Sequence, residues 1–202
     1  MPAANRTSNG MKKLFEVHQK ITFWTNEYRI LKDNQLVGYI RQKPFALREQ
    51  FTLYSDEQRS TALAASQARN IIDLAPVFDV TDSDKKHLAA IKKEFKKSFV
   101  SSTWSIYRDA QLQKPVFKVA EKNTAMALLR RIWELIPVEN FIPFPFKFHF
   151  SILAGDKIVG EYTKLTLFRD HYAFYLDEKH ASELDEHAWM IFAVLLDAMQ
   201  SR

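Results

Sequence analysis

The sequence predicts a mainly β fold, α+β by content: a closed antiparallel barrel of about twelve strands around a hydrophobic C-terminal helix, with one additional amphipathic helix. Three observations predict it. A strand-turn-strand pattern recurs in "EYRILKDNQLVGYIRQ", "FDVTDSDKKHLAAIKK", "WSIYRDAQLQKPVFKV" and "FSILAGDKIVGEYTKL". Apolar and polar residues alternate where those strands fall. The last segment, "SELDEHAWMIFAVLLDAMQ", is apolar without a break from Ala188 to Leu196.

In chain order, "MPAANRTSNG" is polar and has no apolar signal-peptide core, so residues 1–13 are expected to be a disordered leader. Asn5-Arg6-Thr7 fits the glycosylation pattern, but no secretion signal accompanies it. One domain is expected over 14–202, because no internal linker is evident. Six turns punctuate it, "KDNQ", "SDEQRS", "TDSDKK", "RDAQLQK", "AGDK" and "RDH". Their Asp, Asn, Ser and Gly residues tolerate turn conformations and hydrogen-bond their own backbone.

Phe146, Phe148, Phe150 and Ile152 alternate with Lys147, His149 and Ser151, the period of a sheet with one dry face. Trp104 and Ile106, and later Tyr172, Phe174 and Leu176, repeat it. The alternation breaks in "NTAMALLRRIWELIP", where Met126, Leu129, Ile132, Trp133 and Ile136 recur at helical spacing between a capping Asn123 and Pro137. In the final helix Ser182 is the expected cap, with Glu183, Asp185 and Glu186 favoured by the helix dipole in the first turn. Its nine apolar residues at about 1.5 Å each fall short of a membrane core of about 30 Å. A helix apolar on every side must be surrounded by protein, and strands with one apolar face supply that surrounding by closing into a barrel.

Composition excludes several classes of function. There is no Cys, hence no disulfide, no thiol nucleophile and no Cys-ligated metal. With Gly10, Gly38, Gly155 and Gly160 alone, neither a dinucleotide fingerprint nor a Walker loop can be written. His18, His87, His149, His171, His180 and His187 show no paired ligand spacing, and no G-x-S-x-G elbow nominates a nucleophile. The expected catalytic residues, cofactors and metals are none.

A net charge of +5 and a pI near 9.3 favour anionic partners. Much of that charge sits in "KKHLAAIKKEFKK", where Lys85, Lys86, Lys92, Lys93, Lys96 and Lys97 stand against Glu94 alone. These lysines are the candidate anion-binding residues, with Arg41, Lys43 and Arg48 extending them if the first and third hairpins are neighbours. The opposing reading is a solvated face that keeps the barrel soluble. Asp79, Asp82 and Asp84 are weak candidates for a hard cation, because their run lacks the glycine and distal glutamate of a calcium loop. "FIPFPFKFHF" reads as a core strand after a Pro-shaped entry in preference to an exposed recognition surface.

The segments "YRILKDNQLVGYIRQK", "LREQFTLY", "ARNIIDLAPVFDVTD" and "ALLRRIWELIP", followed by the apolar final helix, resemble the LURP-one-related family from about Leu14 onward. That family shares the tubby C-terminal-like fold with tubby proteins and phospholipid scramblases. The resemblance implies a twelve-stranded barrel around a central helix, in agreement with the residues. It also implies phosphoinositide-type head groups as ligands and contact with membranes, while the missing Cys, Pro-rich region and spanning segment depart from the scramblase pattern. The expected function is a non-enzymatic binding module for an anionic ligand, with a phosphorylated lipid head group first. The alternative is a structural or regulatory barrel that binds a protein partner; lipid scrambling is a remote third. A nucleic-acid partner is not expected. The expected location is cytoplasmic, peripheral at a membrane, with no integral membrane segment.

Overall fold

A computed structural model describes residues 10–21, 25–42, 50–70, 75–94, 103–121, 149–166 and 170–199. Its strands are β1 (Lys12–Ile21), β2 (Asn26–Lys32), β3 (Gln35–Gln42), β4 (Gln50–Tyr54), β5 (Ala62–Ala68) and β6 (Val77–Asp82), then β7 (His87–Glu94), β8 (Thr103–Tyr107), β9 (Pro115–Glu121), β10 (His149–Ala154), β11 (Lys157–Lys164) and β12 (Asp170–Leu176). Two helices follow, α1 (Glu178–Ala181) and α2 (Glu186–Ala198). Each strand pairs antiparallel with the next, and β12 returns to β1, which closes a twelve-stranded barrel.

Closure gives the alternating residues one common interior. Phe15, Val17, Tyr28, Ile30, Phe51, Phe78, Ile91, Trp104, Phe117, Phe150, Ile152 and Phe174 are buried in one core with α2. Phe15 stacks on its cross-strand partner Phe174 at 4.9 Å. The run Ala188 to Leu196 is buried on all sides. Trp189 meets Phe117 at 5.0 Å and Phe174 at 5.5 Å, so the helix is packed by the barrel wall. Full burial of each such aromatic is worth about 1.5–3 kcal/mol, which is why a helix without a polar face is stable here.

Antiparallel order sets the two ends of the barrel. The β2–β3, β4–β5, β6–β7, β8–β9 and β10–β11 turns lie at one end, here the hairpin end, where α2 also enters. Asp33 and Asn34 take φ of 50° and 65°, the left-handed pair a two-residue hairpin turn requires. Gly160 has a different role: a Cβ there would lie 2.8 Å from the Tyr175 carbonyl oxygen of the neighbouring strand.

Several elements differ from the sequence reading. Five of the six turns are hairpin turns, but in "RDH" Asp170 and His171 already belong to β12. The twelfth strand is β1, which pairs Lys12 with Leu176 and Lys13 with Tyr175, so strand structure begins ahead of Leu14. Asp185, not Ser182, caps the central helix: its carboxylate accepts from His187 N at 2.8 Å. Ser182 instead closes α1, and the buried Leu184 lies in the short connection to α2. The expected helix between Asn123 and Pro137, and Phe146 and Phe148, lie outside the described residues.

Candidate functional site

Strand periodicity divides the lysine run. Ala89 and Ile91 are core residues, so Lys93 shares their inward face while Lys92 faces out. Lys93 Nζ donates to the carbonyl oxygen of Met199 at 2.8 Å and lies 5.7 Å from the Trp104 ring centroid. Its charge therefore sits at the C-terminal end of α2, where the helix dipole is negative. Lys92 is paired with Glu94 at 3.1 Å. Lys85 and Lys86 occupy the β6–β7 turn at the hairpin end, are exposed, and have no ion pair among the described residues. Six residues of strand, about 20 Å, separate them from Lys92.

The turn itself is built by Asp82, whose Oδ1 accepts from the backbone N–H of Asp84 and of Lys86, both at 2.9 Å. Asp79 on β6 takes a two-point salt bridge from Arg69, at 2.8 and 2.7 Å. That hydrogen bond, more than burial opposes it, raises the Arg69 pKa further above its usual value. Asp79 and Asp82 are thus engaged structurally, and no group of three or more potential metal ligands converges among the described residues.

Arg41, on β3, lies 3.8 Å from Glu27 of the adjacent strand. The β4–β5 hairpin stands between β2–β3 and β6–β7, so the first and third hairpins are not neighbours and Arg41 is not brought to the lysine run. Lys43, Arg48, Lys96 and Lys97 lie outside the described residues.

The histidines serve several local contacts. His18 and His171 stack across β1 and β12 at 3.9 Å. His149 contacts Thr163 Oγ1 at 3.1 Å, and His180 is bonded to Glu183.

One surface feature was not singled out from the sequence. Along the β8–β9 and β10–β11 turns runs a groove of about 680 Å³, lined by Arg108, Lys114, Pro115, Val116, Phe117, Lys118, Gly155 and Asp156. Arg108 is held by Glu183, its Nε donating to the backbone oxygen at 3.0 Å and its Nη2 to the carboxylate at 2.7 Å. Lys114 and Lys118 are exposed and have no ion pair among the described residues. The signal for them was present in the two lysines of "KPVFK", one just ahead of β9 and one on its outward face. Together with Lys85 and Lys86 they place four uncommitted ammonium groups on consecutive hairpins of one end.

The profile of the LURP-one-related family matches residues 36–197, most of the chain. The chain belongs to that family. The match spans the barrel from β3 through α2, including the β6–β7 turn and the groove. No curated protein and no solved structure gives a significant match. Among the described residues no helix of this LURP-one-related chain is long and apolar enough to cross a membrane.

Proposed function

We propose that this LURP-one-related barrel is a non-enzymatic binding module whose ligand is anionic, a phosphorylated lipid head group at the surface of a cytoplasmic membrane leaflet. The observation that carries this reading is the hairpin end, where Lys85, Lys86, Lys114 and Lys118 are exposed and unpaired among the described residues. A basic side chain near an anionic leaflet contributes about 1 kcal/mol, so four supply about 4 kcal/mol, equivalent to a dissociation constant near 1 mM. Charge alone therefore brings the barrel to the surface only weakly, and a defined contact with a head group has to add to it. Lys92 and Lys93 are weaker contributors, because one is paired with Glu94 and the other serves the end of α2.

Flotation with phosphatidylcholine vesicles, with and without phosphoinositide, tests the proposal. Lys85→Glu combined with Lys86→Glu should reduce binding to anionic vesicles by about tenfold or more. The change should leave the melting temperature intact, because both side chains are exposed and unpaired. Undiminished vesicle binding by the double variant would sink the assignment to this end of the barrel.

A further inference from the structure

Closure of the barrel depends on one pairing that joins the two ends of the chain, β1 with β12. Without it β12 and β2 would each present an unpaired edge, and the Phe15–Phe174 stack beneath would lose one of its rings. Val17 and Tyr172 face the core on either side of this seam, so their neighbours His18 and His171 lie on its outer face. The two histidines stand directly opposite one another, and their rings stack with centroids 3.9 Å apart and planes 12° from parallel. Both are partly exposed, so protons from solvent reach them.

The charge around the pair is mixed. On β1, Glu16 Oε2 lies 3.3 Å from His18 Nε2, Lys13 Nζ donates to the same carboxylate at 2.6 Å, and Lys20 is the next outward residue. On β2, Arg29 is in register with His18 and paired with Glu57 at 2.9 Å, while Glu27 is in register with Lys20. On β11, the N–H of Leu165 donates to the His171 carbonyl oxygen at 2.8 Å, and the Leu165 side chain is exposed. On β12 the next outward residue is Ala173. One proton suits this arrangement, because an imidazolium over a neutral ring is a cation on a π face and Glu16 lies against His18. A second proton opposes it: two like charges at stacking distance repel, and Arg29 and Lys20 add positive charge on the same face.

We infer that the His18–His171 stack is an acid-sensitive clasp on the closing seam of the barrel. With no proton or one it ties β1 to β12, and with two it pushes the strands apart. Histidines change charge between about pH 5 and pH 8, so the stabilisation is present near neutrality and is lost as pH falls through the acid side of that range. Loosening the seam uncovers Phe15 and two strand edges, the surfaces that closure hides. The device uses none of the hairpin-end lysines and stands independently of the anionic-ligand reading.

An NMR titration of the imidazole C–H signals of the whole chain tests it on the wild type alone. The pair should take up its protons in two separated steps, since interacting sites titrate as a unit. His18→Phe and His171→Phe each keep a flat ring in the stack and remove one proton site. Between about pH 7.5 and about pH 5 the wild type should lose about 2–4 °C more in Tm than either Phe variant. Over the same range hydrogen exchange, corrected for its intrinsic pH dependence, should accelerate at β1–β12 amides and not at β5–β6 amides. One shared protonation step for both rings would overturn the inference. So would a wild type whose pH profile follows both Phe variants, or seam amides that keep the protection of β5–β6 at the acid end.

Discussion

Replacing Lys93 by Met removes a charge while keeping an unbranched side chain, and the structure sets the size of the effect. The ammonium makes a charged hydrogen bond to the Met199 carbonyl at 2.8 Å, worth about 1.5–3 kcal/mol. The helix-end electrostatics add about 0.3–1 kcal/mol and the Trp104 ring about 0.5–1 kcal/mol. These contributions overlap in one group and do not sum, so a net loss of about 2 kcal/mol is expected. For a chain of this size that is a fall in Tm of about 4–8 °C. Lys92→Met is the matched control, since its partly exposed pair with Glu94 is worth at most about 1 kcal/mol. Thermal melts and urea titrations of both variants read the difference directly. If Lys93→Met melts with wild type, or with Lys92→Met, then Lys93 does not hold the end of the central helix and returns to the candidate ligand set.

Other consequences follow from the core and from one carboxylate. Phe192, 1% exposed, should lose about 3–5 kcal/mol on replacement by Ala, and Phe192→Asp or Trp189→Asp should fail to fold; circular dichroism and melting of either Asp variant like wild type would contradict the central-helix assignment. Gly160→Ala should destabilise more than Gly38→Ala, because the added methyl meets a backbone oxygen at Gly160 and only movable side-chain atoms at Gly38; denaturant midpoints rank them. Burial works to raise the pKa of Glu16, but hydrogen bonds from Lys13 and His18 outweigh it and leave the carboxyl below its usual value. A depressed folded-state pKa stabilises above the unfolded value and loses that contribution as pH falls through the folded one. Glu16→Gln should therefore be less stable than wild type near neutrality, and the gap should close below about pH 4, as followed by melts across pH.

What was legible in the sequence is what depends on local spacing. Trp104 and Ile106, Phe150 and Ile152, and Tyr172, Phe174 and Leu176 all face the core as their alternation predicts. The helix inside the barrel followed from the unbroken run at Ala188 to Leu196, since no other surrounding could accept it. The strand β1 was harder to read, because inward-facing Gln19 is polar and breaks the alternation; its Nε2 donates to the Tyr28 hydroxyl inside the barrel mouth. Its partner β12 also lies at the far end of the chain, a pairing that no local pattern encodes.

The site was less legible for the same reason. Lys92 and Lys93 are adjacent in sequence, yet strand geometry sends one outward and one to the helix end. Lys85 and Lys86 are near them in number but a strand length away in space. Conversely, the groove joins Lys114 and Lys118 to Gly155 and Asp156, which only the pairing of β9 with β10 brings together.

The most direct test of a binding role is co-sedimentation of the purified chain with neutral, phosphatidylserine and phosphoinositide vesicles at low and physiological salt. Binding that selects phosphoinositide and survives physiological salt is the expected result, because a head-group contact is screened less than exposed charge. Absence of binding, or binding to every anionic vesicle at low salt alone, would contradict it and make the exposed lysines a solubilising face.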